Sequence, residues 1–380
     1  MNKIIKKGLL AFCFMVLTAC AQKHNEEDDF QIEIIDFGRS AAIIGYSGTK
    51  QAIRIPSRIK ELPVTAIGDE AFAGNTSLTS IAIPGSVSSI GQDVFWNCTS
   101  LSSVTIPGSV TSISAGTFVG CASLTAIIVS PDNLTYSSLD NILYDKNQYT
   151  LINYPPGKTG DFTIPDNVTR IEDLAFAHSK GLTGITLPEN LKSIGIGAFI
   201  GCDNLTEITI PDSVTDIWDW AFALSGLTSI TIPANVTNIG EAAFVGCIFL
   251  EEINVSPNNQ IYSSTDGVLY DKEQRTLIAY PSGKEGAFEI PNTVSSIGDM
   301  AFWYSFNLSS ANIPSSVNSI GNQAFADCDS LESVRFGNNH TIFDAETFPG
   351  DLHAKYTDST GGRGTYTTET PGDDAVWQKQ

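Results

Sequence analysis

The chain has 380 residues, 42% of them hydrophobic and 17% charged, with a formal net charge of −21. An acidic balance of this size argues against a nucleic-acid partner and against electrostatic attachment to an anionic membrane. The length would suit two globular domains, but an unbroken periodicity along the chain favours one elongated domain.

Residues 1–19 read as a targeting segment. Lys3, Lys6 and Lys7 precede a mostly apolar run over residues 8–17, too short to span a bilayer. The run ends in Leu17-Thr18-Ala19-Cys20, which resembles the lipobox of bacterial lipoproteins. That resemblance implies cleavage before Cys20 and acylation of its thiol and new amine, and two or three acyl chains anchor stably where one does not. Loss of the three lysines takes the mature chain to −24. Residues 20–29 contain Glu26-Glu27-Asp28-Asp29 and read as a solvated acidic tether. An acidic run just after a lipidated Cys also resembles the export tag of outer-surface lipoproteins in some Gram-negative bacteria. It implies an outer-membrane lipoprotein facing the exterior.

Residues 30–350 carry the repeat. Phe72, Phe95, Phe118, Phe176, Phe199, Phe222, Phe244, Phe302, Phe325 and Phe348 fall 22 or 23 residues apart, except for two steps of 58. A period this short means a stacked solenoid, each turn burying its apolar side against its neighbours. In residues 205–222, the alternation Ile208-Thr209-Ile210 predicts a strand with one buried face. Pro211 ends it, and the same Pro recurs 11 residues before each of eight anchor rings. Val214 to Ile217 predicts a second extended piece, and a Gly such as Gly195 or Gly240 then opens one helical turn ending in Ala-Phe. The 58-residue steps hold matching inserts, Ser130-Pro131-Asp132-Asn133 to Pro155 and Ser256-Pro257-Asn258-Asn259 to Pro281. Each reads as a hairpin. An offset of 126 residues superimposes the two, so a block duplication built part of the array. Asp140, Asp145, Asp266 and Asp271 sit at the hairpin turns, where a structural role is expected.

Cys98, Cys121, Cys202, Cys247 and Cys328 each follow an anchor Phe by three residues, a slot that elsewhere holds Asn, Ser or Asp. This is a small stacked position and not a disulfide framework. Only Cys98 and Cys121 occupy adjacent turns, where a bridge is an alternative.

The consensus Leu-x-x-Ile-x-Ile-Pro-x-x-Val-x-x-Ile-Gly-x-x-Ala-Phe-x-x-Cys resembles the treponemal-type leucine-rich repeat of the BspA-like bacterial surface proteins, over roughly residues 50–350. Residues 30–71 are similar to the opening segment of that family, with Lys60-Glu61 where a Gly is usual. Residues 351–380, with Trp377, resemble its C-terminal cap. The resemblance implies a leucine-rich repeat solenoid, mainly β with short helical turns: a curved right-handed array of about ten 23-residue repeats plus two hairpin-containing inserts, with a concave parallel sheet.

No catalytic constellation is legible. The four His residues are scattered, and neither a nucleophile elbow, a P-loop nor a metal motif is present. No metal or cofactor is expected, and the chain reads as non-enzymatic. Two candidate binding surfaces remain. Outward strand residues, including Thr105, Ile128, Thr186, Glu207, Thr209, Thr231, Glu252, Asn254, Asn312 and Arg335, would form a polar strip of roughly 50 Å over ten turns at ~4.8 Å each. Trp218, Trp220, Trp96, Trp303 and Tyr304 would be exposed aromatics suited to sugar stacking or a protein hot spot. The expected role is that of an adhesin or protein-interaction scaffold for host or neighbouring-cell protein. The alternative is a carbohydrate-binding, less readily hydrolysing, surface lipoprotein.

Overall fold

The computed structural model describes residues 26–380; Cys20 and the targeting segment lie outside them. Alternating Ile and Val build a parallel ladder along one side of the molecule. Its first stretch is Ala52–Arg54, Ser80–Ala82, Ser103–Ile106 and Ala126–Val129, in which Thr105 lies beside Ile128. After Ser80–Ala82 and Ser103–Ile106 the Pro carbonyl accepts a hydrogen bond from the residue three positions on, Val87 N to Pro84 O at 3.1 Å and Val110 N to Pro107 O at 3.3 Å. The same bond recurs after most later Pro, as in Val214 N to Pro211 O at 3.1 Å. The chain turns there into a second ladder of two-residue strands, among them Arg170–Ile171, Ser193–Ile194, Asp216–Ile217 and Asn238–Ile239.

The third side differs from expectation. The segment around each anchor Phe is not helical, and among the described residues the one α-helix is Leu352–Thr357 near the C-terminus. Overlapping β-turns stand in its place. In the Phe222 coil, Ala221 N, Ala223 N and Ser225 N bond three residues back, to Trp218, Trp220 and Phe222 carbonyls at 3.2, 3.0 and 3.2 Å. The alternate donors, Trp220 N, Phe222 N and Leu224 N, reach the next coil at Glu241, Ala243 and Val245 (3.0, 2.8 and 2.8 Å). A helix would aim every N–H along its own axis; here half are left to join coils. This backbone requires a left-handed residue two before and two after the Phe. Both positions have positive φ in the nine coils from Phe72 to Phe325, and only the second, Gly350, does so around Phe348.

The rings stack through the core, with Phe199 4.9 Å from Phe176 and 5.4 Å from Phe222. Three Tyr residues complete the set. Tyr46 contacts Phe72, while Tyr154 and Tyr280 stack on Phe176 and Phe302 at 5.0 and 4.8 Å. Each 58-residue step therefore conceals a further coil whose ring is Tyr, and the array has about thirteen turns instead of ten.

Each insert is a three-stranded meander and not a single hairpin. Tyr136–Leu139 and Ile142–Asp145 pair antiparallel, and Thr150–Asn153 pairs with the latter before joining the short ladder. Tyr262–Thr265, Val268–Asp271 and Thr276–Ala279 repeat this arrangement. The middle strand is a shared wall. Leu143 packs into the core cluster that precedes it, and Ile142 and Tyr144 into the one that follows. The period of two in a strand places successive side chains on opposite faces. The apolar spine is thus three abutting clusters, not one continuous column. Asp140 and Asp266 occupy left-handed positions in the meander turns. Asp145 Oδ1 accepts from Thr150 N at 2.9 Å, and Asp271 Oδ1 from Arg275 N at 2.7 Å. All four aspartates shape turns.

The inserts also cut the long ladder. Ile127 N donates to Asn141 O at 2.9 Å and Ile253 N to Gly267 O at 2.8 Å, so a meander turn occupies the place of the next strand. Residues 207–210 form no strand either; burial of Ile208 and Ile210 holds them, not ladder bonds. At the ends, Phe30–Ile35 and Ser40–Tyr46 make an antiparallel lid. Of the acidic run, Glu27–Asp29 forms a single 3-10 turn, and Glu27 accepts from Lys60 N at 2.9 Å. At the other end Gly364–Thr367 pairs antiparallel with Ser333–Phe336, and buried Trp377 donates Nε1–H to Pro349 O at 2.9 Å.

Where a meander interrupts the short ladder, a Tyr hydroxyl substitutes for a strand carbonyl. Tyr136 Oη accepts from Ile113 N at 3.0 Å and Tyr262 Oη from Ile239 N at 2.9 Å. Tyr262→Phe leaves the Ile239 N–H without its partner and should cost about 1–3 kcal/mol. Denaturant unfolding checks this, with no loss expected for exposed Tyr149→Phe.

Candidate binding surface

The residues of the expected polar strip face outward, over a ladder that is interrupted along its length. Thr105, Ile128, Thr186, Glu207, Thr209, Thr231, Glu252, Asn254 and Arg335 are exposed and Asn312 is half-buried. Neighbours lie side by side within a patch: Thr231 beside Asn254, and Asn312 beside Arg335. Asn254 Nδ2 donates to Glu252 at 3.0 Å, and Asn312 donates to Glu289. The ladder behind them is split into sheets of four, two, two and five strands. A four-strand patch spans only about 14 Å at ~4.8 Å per step. The expected 50 Å strip therefore lies over a ladder that is hydrogen-bonded only in short segments. Glu207 and Thr209, with Ser229 and Thr231, border a depression of about 360 Å³ at the break over residues 207–210.

Three of the aromatic candidates converge, and they are half-buried where exposure was expected: Trp220, Trp303 and Tyr304. Trp220 meets Trp303 edge-on at 5.5 Å, Trp303 stacks on Tyr304 at 4.8 Å, and Tyr304 touches Phe306 at 5.3 Å. Trp303 Nε1 donates to the Asp327 carboxylate, which fixes its ring. Leu224 and Tyr304 both lean over Gly246, with side-chain atoms 2.5 and 3.4 Å from where a Cβ would sit. Trp218 is 44% exposed and makes no ring contact among the described residues. Sequence reasoning missed Leu224 and Phe306. The signal was the left-handed column: Trp220, Leu224 and Tyr304 have φ of 58°, 55° and 59° where several other coils place Gly. A bulky residue there is strained by roughly 1–3 kcal/mol.

This cluster overlies one of two notches, each at an insert. The coils of Tyr154 and Tyr280 lack the protruding turns, so the inter-coil bonds stop at the coil before. Gly116 N, Phe118 N and Gly120 N, and likewise Ala242 N, Phe244 N and Gly246 N, have no intramolecular acceptor among the described residues. Beneath them lie cavities of about 190 and 280 Å³ beside Phe118 and Phe244. The smaller is lined by Asn153, whose buried Oδ1 has no partner. An outer cleft of about 500 Å³ opens at the first notch, between Trp96 and His178. Among the described residues no group of three His, Cys, Asp or Glu converges as a metal would require.

The family model for BspA type leucine rich repeat regions matches residues 51–159, 154–265 and 284–356. The chain belongs to that family. Among solved structures it is similar to a leucine rich cell surface protein from Faecalibacterium prausnitzii, with 32% identity over 87% of this chain and 82% of that one and a TM-score of 0.49. It is also similar to leucine-rich repeat proteins from Eubacterium ventriosum (24% identity, 78% and 73% covered, TM-score 0.49) and Bacteroides ovatus (24%, 81% and 87%, 0.41). No curated protein matches.

In this BspA-type array the five described cysteines are free and buried, Cys98 and Cys121 included. Each thiol donates to the anchor Phe carbonyl of the coil before it, as in Cys98 to Phe72 at 3.1 Å and Cys247 to Phe222 at 3.0 Å. Burial pushes Cys98 and Cys247 up to about 11 and Cys202 to about 12, and raises Cys121 and Cys328 as well. Ser179 and Ser305 fill the same slot just after the Tyr coils, and their hydroxyls have no partner. With so little thiolate, all five cysteines should resist iodoacetamide at pH 8 in the native mature protein and react fully in guanidinium. Mass spectrometry of the intact chain reads the difference.

Proposed function

We propose that the mature protein is an outer-membrane lipoprotein that faces the cell exterior and works by binding, without catalysis. Its role is that of an adhesin or scaffold for a protein of a host or neighbouring cell. The observation that carries this reading is the cluster of Trp220, Trp303, Tyr304 and Phe306 beside Leu224. Its rings pack on one another, which leaves edges and apolar flanks for a protein surface and few open faces for a sugar. Clustered aromatics of this kind dominate protein interfaces. Trp220 and Tyr304, both half-buried, are held at strained backbone positions that Gly fills in other coils, and strain kept where Gly would relieve it supports a functional demand.

Trp220→Gly separates the two demands. It restores the residue found at Gly116 and Gly197, so the unfolding midpoint should stay level or rise. Binding to matrix proteins or whole cells, read by surface plasmon resonance or adhesion assay, should weaken at least tenfold with Trp303→Ala added. Undiminished binding by the double variant would remove the patch from the reading. Anchoring is tested separately: Cys20→Ala should abolish incorporation of a labelled fatty acid and release the chain from the membrane fraction.

A further inference from the structure

We propose that the outer cleft of the first notch is a binding site for neutral saccharide, distinct from the protein-binding patch at the second. The duplication makes the two notches an internal comparison. With the offset of 126 residues, Gly120, Gly157, His178 and Lys180 correspond to Gly246, Gly283, Tyr304 and Phe306. The backbone is shared and the chemistry has parted. At the second notch Tyr304 and Leu224 cover Gly246. At the first, a cleft of about 500 Å³ stays open, within the ~300–1,000 Å³ typical of small-ligand sites.

What lines it suits a sugar. Trp96 is 46% exposed and makes no ring contact among the described residues, so a stacking face is available. Around it stand Asn97, Thr99, Thr159 and His178, whose side chains make no hydrogen bond among the described residues, and Gly120, whose N–H has no acceptor. These groups include donors and acceptors, and a sugar hydroxyl is both at once. A flat apolar wall with a few convergent polar groups meets the two needs of a pyranose, one face apolar and the rim polar.

The charge favours a neutral ligand. Lys180, the cation in the cleft, is paired with Asp203 at 2.9 Å. Burial, with Lys180 nearby, holds the His178 pKa below its usual value, so at neutral pH its imidazole is uncharged and can both donate and accept. The surrounding protein is strongly acidic, which repels uronates and sialates.

The test uses the mature chain with a panel of neutral hexasaccharides (malto-, cello-, manno- and laminari-series) and one acidic oligosaccharide. Binding is followed by isothermal titration and tryptophan fluorescence. Saturable binding to at least one neutral oligosaccharide is expected. Trp96→Ala should weaken it at least tenfold. His178→Tyr with Lys180→Phe should do the same; it rebuilds the second notch's residues on a backbone that already carries Tyr304, and circular dichroism checks its fold. Trp303→Ala should leave saccharide binding unchanged. No binding to any neutral member, binding of the acidic one alone, or binding that survives both cleft variants would overturn the proposal. Protein adhesion is read on the second notch, so failure of either reading leaves the other standing.

Discussion

Away from the two inserts, each coil of this molecule is finished by the next one. Around each anchor Phe, alternate backbone donors turn inward to close local turns while the others point along the stack and wait for a carbonyl one coil on. An unpaired buried N–H is costly, so no single coil can stand alone and the array must be ended deliberately. The antiparallel lid before Phe72 and the aromatic plug of Phe336, Tyr356, Tyr366 and Trp377 are consequences of that rule. So are Tyr136 and Tyr262, which lend a hydroxyl where a strand carbonyl is missing. Asn133 and Asn259, both fully buried, do similar work: Asn259 Nδ2 bridges the Pro233 and Val236 carbonyls of the coil before at 2.8 and 2.9 Å.

Much of this was legible in the sequence because side-chain size repeats with the coil. Phe, Pro and Ile mark core, corner and strand wherever they recur, and the Cys slot was readable as a small stacked position. Three features were not. The Tyr coils escaped because Tyr154 and Tyr280 fill the Phe position without the Ala-Phe signature, although each lies 22 residues before the next anchor. The helical turn was a false inference from Gly-x-x-Ala-Phe. Short apolar spacing is common to a helix and to overlapping turns, and only the left-handed residues separate the two. Those residues were disguised, since Leu174, Ala242 and Met300 occupy positions where Gly would have announced itself. The third miss was longitudinal. Outward strand residues can be listed from alternation, but whether adjacent strands pair depends on what the inserts do to the ladder.

Of the candidate site, the sequence offered the individual aromatics but not their grouping. Trp220 and Trp303 are 83 residues apart and meet only because the Tyr280 coil lacks its protruding turns. The same omission explains why both candidate sites lie at inserts and neither lies on the regular coils. On a regular coil the outward donors are consumed by the next coil and the flank is closed. A meander that feeds back into the short ladder keeps the core continuous on one side while opening a gap on the other. Function is then available without dismantling the stack, as expected when a binding feature is added to a rigid scaffold.

The strained column links the two ideas. Where one coil places a large residue at a left-handed position, a neighbouring coil often places Gly beneath it. Leu174 covers Gly197, His178 covers Gly201, and Leu224 covers Gly246. A Cβ at Gly201 would lie 2.5 Å from the His178 ring, so at this pair the missing side chain makes room for the large one. Strain in one coil is there offset by contact with its neighbour, whereas Met300 and Tyr304 are followed by Gln323 and Asp327 and need no Gly beneath them. At the second insert it is the coil after Phe244 that lacks its protruding turns, and Tyr304 reaches back across that gap toward Gly246 while its own N–H still meets the next coil at Ala326 O, 3.3 Å away. The donors left open before each insert, such as Phe118 N and Phe244 N, have no acceptor among the described residues, which is why the inserts, and not the regular coils, are where this solenoid has groups free to meet something else.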